Sequence, residues 1–263
     1  MNLKYVHADC LKVSHEVWAG NNCTKIKTFK SEAISEKPIL VVVLHGDSPY
    51  KKPNYQYEFA RIAANQSSNV VAVGMLRPGY TDSMERTSDG EKGEANGDSY
   101  DKKRVDQIAQ AITELKKIHK PSAVILAGHS GGSAITANIM SLYPSLIDHG
   151  FIVSCPCDVK IWRKDMLSLS KKQVFEGEIN TLSPLELVNN LNEKSHVSMF
   201  VGNKDKITKP YISQNYKQAA IKSGAKVSFK IIQGKHDIFL NPLILDAMKE
   251  IIQDYKNKSV NED

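Results

Sequence analysis

The chain has 263 residues and is poor in several features that mark specialised protein classes. It has four cysteines, too few at this length for a disulfide framework. Cys155 and Cys157 flank Pro156, one residue short of the C-x-x-C spacing of redox and zinc sites. Cys10 and Cys23 belong to no paired metal motif either. The expectation is four free thiols, a reducing compartment and no bound metal. No run of about 18 apolar residues is present to span a bilayer. Lys4, His7, Asp9, Lys12, His15 and Glu16 interrupt the stretch from Met1 to Gly20, so it holds no signal-peptide core. A cytoplasmic location with no membrane partner is expected. Fifteen glycines and ten prolines are too few for a collagen-like or low-complexity chain.

Blocks of like charge are also missing. The net charge is +6, from 35 Lys and Arg against 29 Asp and Glu, but the cations are scattered in short runs. A nucleic-acid surface gathers its cations on one face, so this distribution reads as a solvated basic surface with no nucleic-acid partner. No internal repeat or long simple linker divides the chain, and one domain over residues 1–263 is expected. Hydrophobic residues, at 41%, supply enough apolar surface for a sizeable core, which excludes a largely disordered chain.

Short apolar runs alternate with amphipathic segments. The runs at 38–44, 69–75, 122–127, 151–154, 197–201 and 227–232 are nearly continuous, which marks strands buried on both faces of a parallel sheet. Helical stripes lie between them: Tyr55, Phe59, Ile62 and Ala63; Val105, Ile108, Ile112 and Leu115; Ile244, Met248, Ile251, Ile252 and Tyr255. This alternation predicts an α/β fold with a doubly wound, mostly parallel sheet. Val6–Val13 and Lys25–Lys30 read as leading strands. Ser183-Pro184-Leu185-Glu186 reads as a capping box with proline at the first helical position. Met84–Asp101, rich in Gly, Asp, Glu, Ser and Lys, reads as a solvated mobile loop whose carboxylates do not match a calcium-loop spacing. Residues 158–195, with Trp162, Met166 and Leu167, read as a small helical, cap-like insert.

The third strong strand runs into Gly128-His129-Ser130-Gly131-Gly132, followed by an apolar helical segment. A G-x-S-x-G turn between strand and helix holds the serine hydroxyl out at the carboxyl edge of the sheet. The glycines remove side chains that would clash in so tight a turn. A phosphate loop is the other reading, but no lysine stands at its P-loop position. A serine nucleophile needs a base, and His236, just after the last strand, is placed to meet it, because parallel strands end on one edge. His129 adjoins Ser130, but neighbours on such a turn point apart. The base needs a carboxylate to hold its tautomer. Asp205, directly after the strand ending at Val201, is preferred to Asp237, which adjoins the histidine. An oxyanion needs donors, and the backbone amides of Asp47, in His45-Gly46-Asp47 after the first strong strand, and of Gly131 are the candidate pair.

The order Ser130, Asp205, His236, each at a strand end, resembles the α/β-hydrolase fold family. Arg77-Pro78-Gly79-Tyr80, after the second strong strand, resembles a segment frequent in that family, and Ser183-Pro184-Leu185, leading to Gly202 and Asp205, is similar to its prolyl-oligopeptidase-like and esterase-like branches. The resemblance runs from about Ile39 to Tyr255. It implies an eight-stranded, mostly parallel sheet with an antiparallel strand near the N-terminus, and serine-hydrolase chemistry through an acyl-enzyme. A small or medium carboxylic ester is the expected substrate, a short peptide the alternative, and a catalytically silent binding protein of the same fold the reading from another class. No cofactor is called for. Trp162, Met166 and Tyr80 are candidate pocket walls. Asp47 departs from the pattern, because a carboxylate beside an oxyanion hole opposes the charge that must develop there. It either turns away or meets a substrate cation.

Overall fold

The apolar runs form the centre of one eight-stranded sheet. The computed structural model describes residues 10, 14–94, 96 and 99–260. In chain order the strands are β1 (Glu16–Ala19), β2 (Asn22–Lys30), β3 (Ile39–Leu44), β4 (Val70–Met75), β5 (Ala123–His129), β6 (His149–Val153), β7 (His196–Gly202) and β8 (Lys226–Ile232). They lie side by side as β1-β2-β4-β3-β5-β6-β7-β8. Pairings from β4 through β8 are parallel, whereas β2 runs antiparallel to both β1 and β4. Every residue of β3, β4, β5 and β6 is buried, as their unbroken apolar character predicts.

Alternate residues of the central strands feed two separate cores. Ile39, Val41 and Val43 face α1 (Tyr55–Asn65) and, through Ile244, Met248 and Ile252, the C-terminal helix. Leu40, Val42 and Leu44 face α2 (Lys102–His119) and α3 (Gly131–Leu142). Residues 154–195 carry α4 (Val159–Ser170) and α5 (Pro184–Leu187), with single 3-10 turns after each. Then α6 (Pro210–Lys222) links β7 to β8, and α7 (Pro242–Val260) closes the described chain. Among the described residues no helix is long and apolar enough to cross a membrane.

The structure departs from sequence expectation in several places. Lys25–Lys30 lies in β2, but its partner strand is β1, joined through a two-residue turn with Gly20 at φ +67°. That turn conformation suits a tight hairpin. Apart from Cys10, the Val6–Val13 segment lies outside the described residues. The cysteines are not free: Cys10 is bonded to Cys23 and Cys155 to Cys157, with Cα separations of 5.6 and 5.1 Å. Both separations fall within the span a disulfide bridges. Motif spacing missed them, because the hairpin sets the first proximity and the turn after β6 the second. Glu16 approaches the first pair, but the two sulfurs are bonded to each other and Glu16 pairs with Lys25 at 2.6 Å.

The Ser183 capping box does not form. The Ser183 hydroxyl instead accepts the Val159 amide at 3.1 Å, tying α4 to α5, and α5 lasts four residues. The stretch expected as a solvated loop is partly built in. Ser88 and Tyr100 are buried, and Asp89 accepts the Cys23 amide at 2.8 Å.

Candidate active site

Four loops at the carboxyl ends of β3, β5, β7 and β8 meet at one place. Ser130, between β5 and α3, adopts φ +51° and ψ −120°, a strained conformation for a residue with a side chain. Hydrogen bonds hold it there. Its amide donates to the Val153 carbonyl at 2.9 Å, and buried Ser133 donates to the Gly128 carbonyl at 2.7 Å. Gly128 is required, because a Cβ there would strike the Gly132–Ser133 backbone.

His236 Nε2 lies 2.9 Å from Ser130 Oγ, and its Nδ1 lies 2.9 Å from Asp205 Oδ2. The carboxylate can only accept, so the imidazole proton sits on Nδ1 and the Nε2 lone pair faces the serine hydroxyl. Asp205 is 3% exposed and also accepts from the Ile207 and Thr208 amides and the Thr208 hydroxyl. Burial opposes its charge, but these bonds and the one from His236 outweigh it and hold its carboxyl below the ordinary value. Asp237 is exposed, its carboxylate apart from this row.

His129 is turned away from the reacting atoms. Its Nε2 donates to the His236 carbonyl at 3.1 Å, and its Nδ1 accepts from Tyr55 Oη at 3.0 Å. Tyr55 in turn accepts the Gly46 amide at 2.5 Å. The Ser154 hydroxyl supports the same His236 carbonyl at 3.1 Å. Burial and the nearby His236 push the His129 pKa down to about 4, so at neutral pH it stays an uncharged link. One polar chain thus runs from the β3 loop to the backbone of His236.

Because Tyr55 occupies the Gly46 amide, that group is not free to meet an oxyanion. The amides of Asp47 and Gly131 have no acceptor among the described residues. The Asp47 carboxylate turns onto the protein. Its Oδ1 lies 3.0 Å from Arg77 Nη1 and accepts from Tyr80 at 3.3 Å, and its Oδ2 accepts from Tyr100 at 2.5 Å.

The three residues expected on the pocket wall are placed differently. Trp162 is 4% exposed and packs edge-on to Phe175 within the core, and Met166 packs against the same core. Tyr80 is buried beside the β3 loop, held by Asp47. A cavity of about 510 Å³ lies between α4 and residues 175–186, and its wall contains none of Ser130, Asp205 and His236.

A sheet of this order, with a strained serine at the β5–α3 turn, is a known architecture. The fold is that of the α/β-hydrolases. Solved structures that share this hydrolase fold include the acylaminoacyl peptidase of Pyrococcus horikoshii, with a TM-score of 0.68 and 14% identity over 92% of this chain. This chain spans only 40% of that peptidase. Est1E of Butyrivibrio proteoclasticus, seen with bound ferulic acid, matches with a TM-score of 0.67 and 15% identity over 92% of this chain and 99% of its own. An esterase of Pyrococcus furiosus matches with a TM-score of 0.64 and 16% identity, over 92% and 88% of the two chains. By sequence, no protein-family model and no curated protein matches.

Thr208, Ser154, Tyr55 and Tyr100 escaped the sequence reading. Thr208, three residues after Asp205, carries a weak signal, because an acid in that position caps the turn it begins. The others have none, since their partners are distant in the chain.

Proposed function

We propose that the protein is a serine hydrolase that cleaves a small or medium carboxylic ester through an acyl-enzyme. The observation that carries this reading is the hydrogen-bonded row Ser130–His236–Asp205, with 2.9 Å at each step, beside two unpaired amides. In the reaction His236 Nε2 takes the Ser130 proton as Oγ attacks the ester carbonyl. Asp205 keeps the ring oriented and balances the imidazolium. The Asp47 and Gly131 amides receive the negative charge that develops on the carbonyl oxygen. The imidazolium then protonates the leaving alkoxide. Water, deprotonated by the same ring, releases the acid and restores Ser130.

Two observations favour an ester over a peptide with a free amine. The Asp47 carboxylate, which lies against Gly131, is already engaged by Arg77 and Tyr100 and offers nothing to an ammonium group. Est1E with bound ferulic acid, the Pyrococcus furiosus esterase and a thioesterase domain are among the structural matches spanned nearly whole, whereas the peptidase match covers a minority of that chain. Residues 158–195 serve as a small cap in this reading.

A fluorophosphonate probe is expected to label the protein, and Ser130→Ala to abolish labelling while circular dichroism stays unchanged. Persistent labelling of the folded variant overturns the assignment. Short p-nitrophenyl esters are expected to give higher kcat/KM than aminoacyl anilides, and the reverse order replaces the esterase reading with the peptidase one.

A further inference from the structure

Arg77 heads the largest fully buried side chains among the described residues, 2% exposed, two residues beyond β4. A guanidinium so placed needs partners, and its partners converge on the loop after β3. The Arg77 amide donates to His45 Nε2 at 3.0 Å, and Nη1 reaches the His45 carbonyl at 3.3 Å and Asp47 Oδ1 at 3.0 Å. The rings of Tyr80 and Tyr100 lie 5.1 and 5.8 Å from its central carbon. His45 itself carries no charge, because burial and then Arg77 hold its pKa well below the ordinary value. The buried formal charges of the cluster among the described residues are therefore Arg77 and Asp47, while Lys92 Nζ lies 5.0 Å from the centre of the Tyr80 ring.

The Asp47 carboxylate stands at a sensitive place. A Cβ built on Gly131 would overlap Asp47 Oδ2 and come within 2.7 Å of Tyr100 Oη. The carboxylate thus lies against the residue whose amide is one oxyanion donor, and it belongs to the residue whose amide is the other. An uncompensated unit charge about 5 Å from a full unit oxyanion slows its formation by up to roughly 300-fold at an effective dielectric near 20.

We propose that Arg77 is a positioning residue of the oxyanion hole. It acts through Asp47, cancelling the carboxylate charge beside the reacting carbonyl and anchoring the β3 loop so that the Asp47 amide faces Ser130, and Tyr100 completes the clamp on the second oxygen. This inference rests on the serine-hydrolase reading. It identifies the chemistry that tolerates an acid in the oxyanion loop and confines the clamp's effect to the transition state. The clamp should govern kcat and leave KM nearly untouched, because the ester's ground-state carbonyl carries little charge.

The test is a double-mutant cycle on ester turnover, with folding followed by circular dichroism. Arg77→Gln is expected to lower kcat roughly hundredfold with KM within about threefold of wild type. Adding Asp47→Asn removes the charge that needed cancelling, and the double variant should recover to within about tenfold of wild type. A packing role alone predicts a double variant no better than the single one, and that result overturns the inference. So does an Arg77→Gln enzyme with wild-type kcat. Should Arg77→Gln fail to fold, Tyr100→Phe is the second arm. It is expected to lower kcat roughly fivefold at unchanged KM, with Asp47→Asn again restoring it. A Tyr100→Phe kcat equal to wild type, or no restoration, overturns the clamp. A wild-type protein that neither turns over esters nor takes the fluorophosphonate overturns the serine-hydrolase reading and the clamp together. An active wild type with indifferent variants removes the clamp alone.

Discussion

The sheet carries a serine–histidine pair near each of its two edges. At the carboxyl edge His236 Nε2 lies 2.9 Å from Ser130 Oγ, and toward the amino edge His149 Nε2 lies 2.9 Å from Ser198 Oγ. The contact distance is the same, but the surroundings are not. Ser130 sits on a strained turn between strand and helix, whereas Ser198 lies within β7 and is 5% exposed. His236 has Asp205 on its other nitrogen, while His149 faces the rings of His196 and Tyr255. Ser198 also accepts a hydrogen bond from Ser228 at 2.9 Å, so it is the middle of a cross-strand row of three side chains. Burial, helped by His196, pushes the His149 pKa down to about 3 and keeps it neutral. A serine–histidine hydrogen bond is therefore common ground. Exposure, a carboxylate on the other ring nitrogen and unpaired backbone amides close by separate a candidate nucleophile from a cross-strand link.

The sharpest way to break this comparison is to remove each hydroxyl. Ser130→Ala is expected to lower ester kcat by roughly 10⁵-fold, whereas Ser198→Ala should leave kcat within about twofold. Steady-state kinetics on one short ester would decide between the two pairs. Next in size is the carboxylate that only one pair has. Asp205→Asn is expected to reduce kcat roughly 10⁴-fold with the fold intact, because an amide can hold the ring in the wrong tautomer. A residual activity near wild type would show that His236 needs no partner and that the carboxylate does not separate the two pairs.

The smallest effect concerns stability at the other edge. His149 is neutral in the folded chain, while the unfolded chain takes up a proton below about pH 6.5. Its contribution is thus fully present above that pH and is lost as the pH falls toward 3. His149→Gln should flatten the acid limb of stability by about 1.4 kcal/mol per pH unit between pH 6 and 4. Urea titrations at several pH values measure this, and an unchanged slope would mean that His149 is already charged in the fold.

Much of the scaffold was legible because its signals are local. The six apolar runs fell on β3 to β8, and the three helical stripes on α1, α2 and α7, since burial on two faces and on one face leave different periods, but the run at 227–232 was expected to be buried on both faces and β8 is largely exposed, because it is the edge strand. The hairpin of β1 and β2 was only half seen, because β1 is four residues long and mixes Glu16 with Trp18. Trp162 was expected at a pocket and packs in the core, because a tryptophan on an amphipathic helix looks the same in either role. Ser183 carried the sequence of a cap, yet a donor from another helix, the Val159 amide, took its hydroxyl.

The chain by itself determined the alternation of strands and helices and the positions of Ser130, Asp205 and His236 at strand ends. Each of these depends on the conformational preferences of a few consecutive residues. Tertiary structure alone decided which groups became partners. The sheet order β4-β3-β5 sets three loops side by side, so Arg77, Asp47 and Gly131 converge although they stand far apart in sequence. In that crowded, poorly solvated place the charge of an acid beside the proposed oxyanion donors is balanced by the cation against it. The sequence presented Asp47 as an anomaly, and parallel strand packing supplied the arginine that resolves it.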